Sequence, residues 1–278
     1  MCIRDSAPNI LTTQALSKTY RKRGWFGQPG RVTHALDDVT LALREGSTLG
    51  IVGESGSGKS TLARSLLGLL APDAGAITLA GDTVTFKGSR ARREHARRVQ
   101  MVFQDPYGSL NPRQRVGEIV ARGPIVHGMP RREAWAQARE LFELVGLSPD
   151  ALRRYPHEFS GGQRQRVGLA RALAMRPRVL IADEPVSALD VSVQAQVLAL
   201  LARLREQLGL SIVFITHDLR VAAQVCDHIA VMKNGQVVEQ GPCAEVFAAP
   251  AHPYTRALLA AVPGRRWDSD AAAARQAA

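Results

Sequence analysis

The chain has 278 residues, enough for one large domain or two small ones, and its hydrophobic content of 45% suits a packed globular core. No run in the sequence approaches the roughly 18 apolar residues that a membrane-spanning helix needs. The formal net charge of +11 is typical of proteins that bind nucleic acid or an anionic membrane surface. The densest basic run, 90–98, lacks interleaved aromatic residues for base stacking, so we interpret it as a solvated helical face and leave attraction to anionic lipid headgroups open.

Cysteine is rare, with Cys2, Cys226 and Cys243 as the three examples, and no C-x-x-C pair occurs. The seven histidines are scattered without metal-ligand spacing, so we expect neither a disulfide framework nor a zinc site. This pattern is typical of a reducing cytosol. Residues 1–6 resemble a translated sequencing adapter, and we expect 1–8 to lie outside the folded domain.

The first ordered segment is predicted to be a small antiparallel sheet. Ile10 to Ala15 and the alternating segment Ala35 to Leu43 indicate two strands, and the Gly- and Arg-rich residues from Arg21 to Arg31 indicate an exposed turn. Tyr20 lies at the end of the first strand, where its ring could stack on an adenine or pack on the core.

A phosphate-binding loop is the strongest motif in the sequence. The segment from Gly53 to Ser60 fits G-x-x-x-x-G-K-[ST], and it follows a predicted buried strand, Leu49 to Val52, and precedes a predicted helix. Glycine-rich backbone and a helix N-terminus both favour bound phosphate. Lys59 is expected to bridge the β- and γ-phosphates and Ser60 to hold Mg²⁺. The predicted nucleotide contacts are Gly53, Ser55, Gly56, Ser57, Gly58, Lys59, Ser60 and Thr61.

The next predicted strand, Val99 to Phe103, has Gln104 at its carboxyl end. Ligands of open α/β sheets bind beyond the carboxyl ends of the strands. Gln104 is therefore a candidate to contact Mg²⁺ or the attacking water.

Residues from 105 to about 178 are predicted to be helical. Apolar residues recur at helical spacing from Trp135 to Val145 and are interpreted as core, and Gly146 with Pro149 ends that helix.

A second helix opens at Phe159, with Ser160 and Gln163 at capping-box spacing. Gly161 and Gly162 are costly in a first helical turn, by about 1 kcal/mol each. This opening is either an ordinary helix start or a helix end cleared for close approach of phosphate.

The run Val179 to Ala182 is wholly apolar, which indicates a strand buried on both faces of a parallel sheet. It is followed by Asp183 and Glu184. We expect Asp183 to bind Mg²⁺ through water and Glu184 to orient and deprotonate the hydrolytic water, and we favour these roles over a helix-capping acid pair. Ser187 to Asp190 then leads into a predicted helix, 194–208.

Ser211 to Thr216 is predicted to be another buried strand, with His217 at its carboxyl end. His217 either contacts the γ-phosphate or has a structural role. The segment from His228 to Gln240 indicates a hairpin around the Asn234-Gly235 turn, and a helical tail follows.

These motifs, in this order, resemble the ATPase subunit of an ABC transporter over about residues 9–262. The resemblance makes 53–60 the Walker A loop, Gln104 the Q-loop and 159–163 the signature, with Phe159 where leucine is commoner. It makes Asp183 and Glu184 the end of Walker B, 187–190 with Asp190 the D-loop, His217 the switch histidine and Tyr20 the adenine-stacking aromatic.

Within that family the chain resembles the peptide-importer group, and in particular the second of its two paired ATPase subunits. Residues 104–113 are similar to that group's segment after the Q-loop, and residues 252–259 are similar to its C-terminal extension. Residues 185–192 are similar to a sequence segment of the second subunit. Many members carry a cysteine cluster beyond the extension that is proposed to hold an iron–sulfur centre. No cysteine follows Cys243, so we predict no cluster here.

The resemblance implies an α/β fold, a P-loop NTPase with a RecA-like parallel-sheet core, an antiparallel β subdomain and a helical signature subdomain. We expect an ATPase domain over 9–241, with the helical subdomain at about 105–178, and a C-terminal extension and tail over 242–278. The implied ligands are ATP and Mg²⁺.

The implied partners are a second ATPase subunit, which is either identical or different, two transmembrane permease subunits and an extracytoplasmic substrate-binding protein, without nucleic acid. The implied location is the cytoplasmic face of a bacterial inner membrane. The implied cargo is peptide, with dipeptides, oligopeptides, glutathione and nickel complexes all carried by similar systems.

Two alternatives remain. A soluble ABC ATPase that acts on ribosomes or DNA is less favoured, because this chain has one cassette and no sustained heptads between Gln104 and Phe159. A non-enzymatic regulatory module is less favoured because every catalytic position is filled.

Overall fold

The computed structural model describes residues 7–21 and 32–262. The expectations for the first six residues, for the turn at 22–31 and for the tail from 263 onward lie outside the described residues.

The described chain alternates strands and helices, as the predicted α/β fold requires. The strands are β1 Asn9–Arg21, β2 Val32–Arg44, β3 Thr48–Val52, β4 Ala74–Leu79, β5 Asp82–Thr83, β6 Val99–Val102, β7 Val179–Asp183, β8 Ser211–Thr216, β9 His228–Lys233 and β10 Gln236–Pro242. The α-helices are α1 Lys59–Leu66, α2 Ser89–Arg98, α3 Pro106–Ser109, α4 Val116–Val126, α5 Arg131–Leu144, α6 Gly161–Leu173, α7 Val191–Leu208, α8 Leu219–Val225, α9 Cys243–Ala248 and α10 Pro253–Ala260. Short 3₁₀ turns cover Pro149–Arg153 and Pro156–Glu158.

The described residues divide into two compact units, one within 1–92 and 211–278 and the other within 93–210. The predicted boundary between the ATPase domain and the extension, at 241 and 242, falls inside β10. The described part of the extension, 242–262, lies within the first unit.

The first unit contains an antiparallel sheet in the order β2-β1-β4-β5. It also contains parallel strands, with β3 between β8 and β9 and with β10 antiparallel to β9. Every residue of β3 and β8 is buried, as their apolar sequences predict. Asn234 and Gly235 both have positive φ angles, of 50° and 85°, as a type I′ turn requires.

The second unit combines the parallel pair β6–β7 with the helices α3 to α7. The apolar stripe of α5 is buried at Ala138, Leu141 and Phe142 and in the following Val145, whereas Trp135 is half-buried. On α6, Val167, Ala170 and Leu173 are buried at helical spacing and form its core face. Hydrophobic periodicity thus located the core face of α5.

Helix α7 differs from the prediction, and helix α2 agrees with it except at one residue. Helix α7 begins at Val191, three residues earlier than expected, because the Asp190 carboxylate accepts the Val193 N–H and caps the helix. Helix α2 is exposed at most of its arginines, but His95 in its middle is buried. Among the described helices, none is both long enough and apolar enough to span a bilayer.

Candidate functional site

The predicted phosphate loop connects β3 to α1 in the first unit, and two of its glycines are sterically required. Gly53 has a φ of 150°, and a Cβ there would lie 2.2 Å from the carbonyl oxygen of Met232. Gly58 has a φ of 110°, and its Cβ would lie 2.5 Å from the carbonyl oxygen of Ala35. The sequence predicts that these glycines allow close approach of phosphate, and in the structure they also let the loop pack on β2 and β9.

Lys59 is held inside this loop by the loop's own backbone. Its side chain is 7% exposed, and its Nζ donates hydrogen bonds to the carbonyl oxygens of Gly53, at 2.7 Å, and Glu54, at 2.8 Å. A buried ammonium needs such acceptors to offset its lost hydration. The loop therefore keeps a cation at its centre.

The hydrogen-bond donors around Lys59 suit a polyphosphate. Helix α1 begins at Lys59, and Gly58 supplies no side chain to cap the first turn, so no side-chain acceptor competes there for an anion. Ser60 is exposed and Thr61 half-buried, while Ser55 and Gly56 are exposed. The buried Ser57 accepts the Gly235 N–H through its carbonyl at 2.9 Å, which ties the loop to the β9–β10 turn.

His217 and Tyr20 belong to the same unit as the loop. Val52 and Thr216 are in register in the parallel pair β3–β8, so Gly53 and His217 lie next to each other in sequence register at the carboxyl ends of these two strands. His217 is exposed there. Tyr20 is 43% exposed and pairs with Thr33, two residues before Ala35, so its ring is accessible for stacking.

Gln104 and Glu184 meet in the second unit. The register of β6 and β7 pairs Val102 with Ala182, which brings the residues two positions further on side by side. The Gln104 Nε2 donates a hydrogen bond to the Glu184 Oε2 at 2.9 Å. Asp183 immediately precedes Glu184 and is half-buried at the end of β7.

The backbone of Glu184 is strained, with a φ of 44°. The left-handed region is uncommon for residues other than glycine and costs on the order of 1 kcal/mol or more. The Glu184 carbonyl accepts hydrogen bonds from the Ser187 N–H, at 3.3 Å, and the Ser187 hydroxyl, at 3.1 Å. Such strain is enriched at functional sites, and the side chain of this strained residue is the one that accepts the hydrogen bond from Gln104.

The capping box at the start of α6 forms as predicted. The Ser160 hydroxyl accepts the Gln163 N–H at 3.3 Å, and the Gln163 side chain accepts the Ser160 N–H at 3.0 Å. The two glycines differ in their surroundings. A Cβ on Gly162 would lie 2.4 Å from Val193 Cγ1, whereas one on Gly161 would make only an ordinary 3.4 Å contact with Leu189. Packing against α7 thus explains why residue 162 is a glycine. No close contact in the described chain explains why residue 161 is also a glycine.

Asp190 lies at the junction of the predicted D-loop and α7. Its carboxylate accepts the Val193 N–H at 3.0 Å and the Ser192 hydroxyl at 2.8 Å. These hydrogen bonds, the first from the Val193 backbone, hold the pKa of Asp190 below its usual value. The structure gives this residue a capping role, and its predicted contact with nucleotide stays a prediction.

Sequence reasoning gave no role to Arg171 on α6. Its guanidinium donates to the Ser109 carbonyl and lies 5.6 Å from the centroid of the Phe103 ring, so it joins α6 to the segment around Gln104. Burial lowers the pKa of Arg171. An arginine on a largely buried helix is the only sequence signal, and it does not identify the partner.

Sequence reasoning also gave no role to Tyr254 on α10. Its hydroxyl accepts the Glu54 N–H of the phosphate loop at 3.2 Å. The two residues are 200 positions apart, so no local pattern could reveal the contact.

Two family models match the chain. The model described as ABC transporter matches residues 36–187, more than half of the chain. The model described as oligopeptide/dipeptide transporter, C-terminal region, matches residues 238–277.

Curated relatives align over most of the chain. A peptide import ATP-binding protein of Brucella abortus is 52% identical over 265 residues, which cover 94% of this chain and 79% of the relative. A peptide import ATP-binding protein of Brucella ovis is 46% identical and covers 96% and 82%. The oligopeptide transport ATP-binding protein OppF of Escherichia coli is 49% identical and covers 86% and 72%.

Solved structures with this fold include cbiO1 from Clostridium perfringens, part of the ABC transporter complex cbiONQ. It has a TM-score of 0.75, 30% identity and coverage of 87% of this chain and 91% of its own. The ATP-binding cassette MJ0796, a dimer bound to ADP and Pi in a post-hydrolysis state, has a TM-score of 0.73, 30% identity and coverage of 84% and 98%. The chain therefore belongs to the ABC transporter family, and within it to the ATP-binding subunits of the oligopeptide and dipeptide importers.

Proposed function

We propose that this chain binds ATP with Mg²⁺, hydrolyses it and thereby powers the import of peptides through partner membrane subunits. The observation that carries the proposal is the phosphate loop, whose backbone encloses the buried Lys59 Nζ with carbonyl contacts at 2.7 and 2.8 Å. A lysine kept in that position supplies the charge that β- and γ-phosphates need.

Each predicted site residue has a separate chemical task. Lys59 exchanges its carbonyl partners for phosphate oxygens, and the backbone N–H groups at the start of α1 bind the remaining phosphate charge. Ser60, Asp183 and Gln104 are the residues that would hold Mg²⁺, which would neutralise charge on the phosphates when bound. Glu184 takes a proton from the attacking water.

The remaining residues complete the binding proposal. Tyr20 stacks on the adenine and His217 contacts the γ-phosphate. The hydrogen bond from the Gln104 Nε2 orients the Glu184 carboxylate.

The proposed assembly contains a second ATPase subunit. In it, the N-terminus of α6 presents Ser160, Gly161, Gly162 and Gln163 to the ATP of the partner, and Asp190 lies beside them. Gly161 supports this proposal because a side chain there would meet only an ordinary contact in its own chain, so crowding inside this chain does not explain the glycine. ATP binding then closes the pair and hydrolysis opens it.

The segment from Gln104 to Leu110 transmits the opening and closing of the ATPase pair to two permease subunits. Arg171 supports this step, since it joins that segment to α6 by its bond to the Ser109 carbonyl. A substrate-binding protein delivers the cargo on the other side of the membrane. The match to the oligopeptide and dipeptide transporter model and the names of the relatives support peptides as cargo and the cytoplasmic face of the inner membrane as the location.

The test is co-purification of this chain, tagged in its native background, from detergent-solubilised membranes. The proposal predicts recovery with two multi-span membrane proteins and an ATPase subunit, and the associated binding protein identifies the cargo. Recovery from the soluble fraction with ribosomes or DNA would instead support the alternative of a soluble ABC ATPase.

A further inference from the structure

We propose that Tyr254, in the C-terminal extension, is a positioning residue for the phosphate loop, and that it raises the affinity of the loop for ATP. The inference rests on the proposed function. Its basis is the hydrogen bond from the Glu54 N–H to the Tyr254 hydroxyl, at 3.2 Å. Tyr254 is 9% exposed, so the bond is largely shielded from water.

The contact acts on the residue that also holds Lys59. The Glu54 N–H bonds to Tyr254, and the Glu54 carbonyl accepts the Lys59 Nζ at 2.8 Å. Both backbone groups of Glu54 are thereby fixed. A shift of Glu54 would move a carbonyl acceptor of Lys59, the lysine that is proposed to bind the phosphates.

Tyr254 is itself held through its backbone and through its ring. Its backbone N–H donates to the His252 Nδ1 at 3.1 Å, which caps α10. On the other side, the Lys233 Nζ lies 4.6 Å from the centroid of the tyrosine ring, a distance at which the cation is attracted to the ring face. Lys233 follows Met232, whose carbonyl packs against Gly53, so the ring and the loop share one support.

The turn before α10 is anchored to β10. The Glu239 carboxylate accepts the N–H groups of Ala251, at 2.7 Å, and His252, at 3.0 Å. Burial raises the pKa of Glu239, but the hydrogen bonds outweigh it and the pKa lies below its usual value, so the carboxylate stays charged. The tyrosine hydroxyl is therefore presented to the loop from a fixed helix.

A preorganised loop binds its ligand without first being ordered, so the hydroxyl is expected to contribute to binding more than to hydrolysis. Replacing Tyr254 with phenylalanine keeps the ring and its contact with Lys233 and removes only the acceptor. A single hydrogen bond of this kind corresponds to about a two- to tenfold change in a dissociation constant.

The experiment compares the wild-type chain with Tyr254→Phe and with Arg256→Met as a matched control. Arg256 donates to the carbonyls of Pro250 and Ala251, so its loss removes hydrogen bonds from the same extension but none to the loop. The Glu239 hydrogen bonds that anchor the turn before α10 stay in place in this control. We expect Tyr254→Phe to raise the Kd and the KM for ATP about two- to tenfold with kcat unchanged, and Arg256→Met to leave all three unchanged.

Hydrogen exchange of the Glu54 amide, measured without nucleotide, gives a second readout. We expect faster exchange in Tyr254→Phe than in the wild type and in Arg256→Met. Unchanged exchange and an unchanged Kd in Tyr254→Phe, or an equal change in both variants, would overturn the inference. A wild-type chain that fails to bind ATP would refute the proposed function instead, and the exchange measurement would still decide on the contact.

Discussion

The phosphate loop of the first unit and the Gln104–Glu184 pair of the second are positioned in different ways. The loop is fixed by its backbone, since Gly53 and Gly58 fit against carbonyl groups of other strands. The pair consists of two side chains at strand ends, which are joined by a hydrogen bond of 2.9 Å. The backbone of one of them, Glu184, is strained. Substitutions in the loop should therefore alter folding and binding together, whereas substitutions in the pair should separate binding from hydrolysis.

The largest expected effect is on hydrolysis by Glu184→Gln. The amide keeps the size of the side chain but cannot accept the proton of water, so the ATPase rate should fall about 10²- to 10⁴-fold while ATP binding is retained. Steady-state phosphate release measures the rate. The matched control is Glu206→Gln on an exposed part of α7, which should hydrolyse ATP at the wild-type rate. A wild-type rate in Glu184→Gln would show that Glu184 is not the base.

Next in size is the loss of stability in Gly53→Ala. The new Cβ would lie 2.2 Å from the Met232 carbonyl at a φ of 150°, so the backbone must move, and the free energy of unfolding should fall by about 3 kcal/mol or more. Urea titration measures it. Gly46→Ala separates clash from strain, because Gly46 has a φ of 69° but no atom within 4 Å of its Cβ position. Equal losses in the two variants would contradict the packing argument.

A smaller effect distinguishes the adjacent glycines at the start of α6. Gly162→Ala crowds Val193 and should lower the free energy of unfolding by about 1–2 kcal/mol, whereas Gly161→Ala meets no close contact, removes the cost of a helical glycine and should raise it by up to about 1 kcal/mol. Thermal unfolding tests the difference. The double variant Gly162→Ala/Val193→Ala should lose less than the sum of its single variants. Additive losses would mean that Val193 does not exclude the methyl group.

The smallest effect concerns the pH dependence of the Asp190 cap. The pKa of Asp190 is lowered in the fold, so its contribution to stability is present above the unfolded pKa of about 4 and is lost as pH falls through the lower folded value. Asp190→Asn removes the charge at every pH. The Tm difference between wild type and variant should therefore be largest near pH 7 and shrink below about pH 4. A difference that does not change with pH would contradict this role.

The sequence predicted the local framework of both regions because local patterns encode it. The bounds of β8 were predicted without error, and so was the capping box of Ser160 and Gln163, since apolar runs and cap spacings depend on neighbouring residues. The meeting of Gln104 and Glu184 follows from their positions after two parallel strands. The roles of the predicted site residues toward ATP stay predictions.

Contacts between distant parts of the chain were not predictable from one sequence. The approach of Gly53 to Met232, of Gly162 to Val193 and of Glu54 to Tyr254 each joins segments whose pairing no periodicity specifies. His95 was missed for a related reason, because its basic neighbours conceal the buried side of α2.

The most direct test of the contrast between the loop and the pair is calorimetric titration of ATP into Lys59→Ala and Glu184→Gln side by side. Lys59→Ala removes the cation of the loop and should abolish measurable ATP binding, whereas Glu184→Gln should bind ATP with the wild-type Kd. An unchanged Kd in Lys59→Ala, or loss of binding in Glu184→Gln, would contradict the division between a binding loop and a hydrolytic carboxylate.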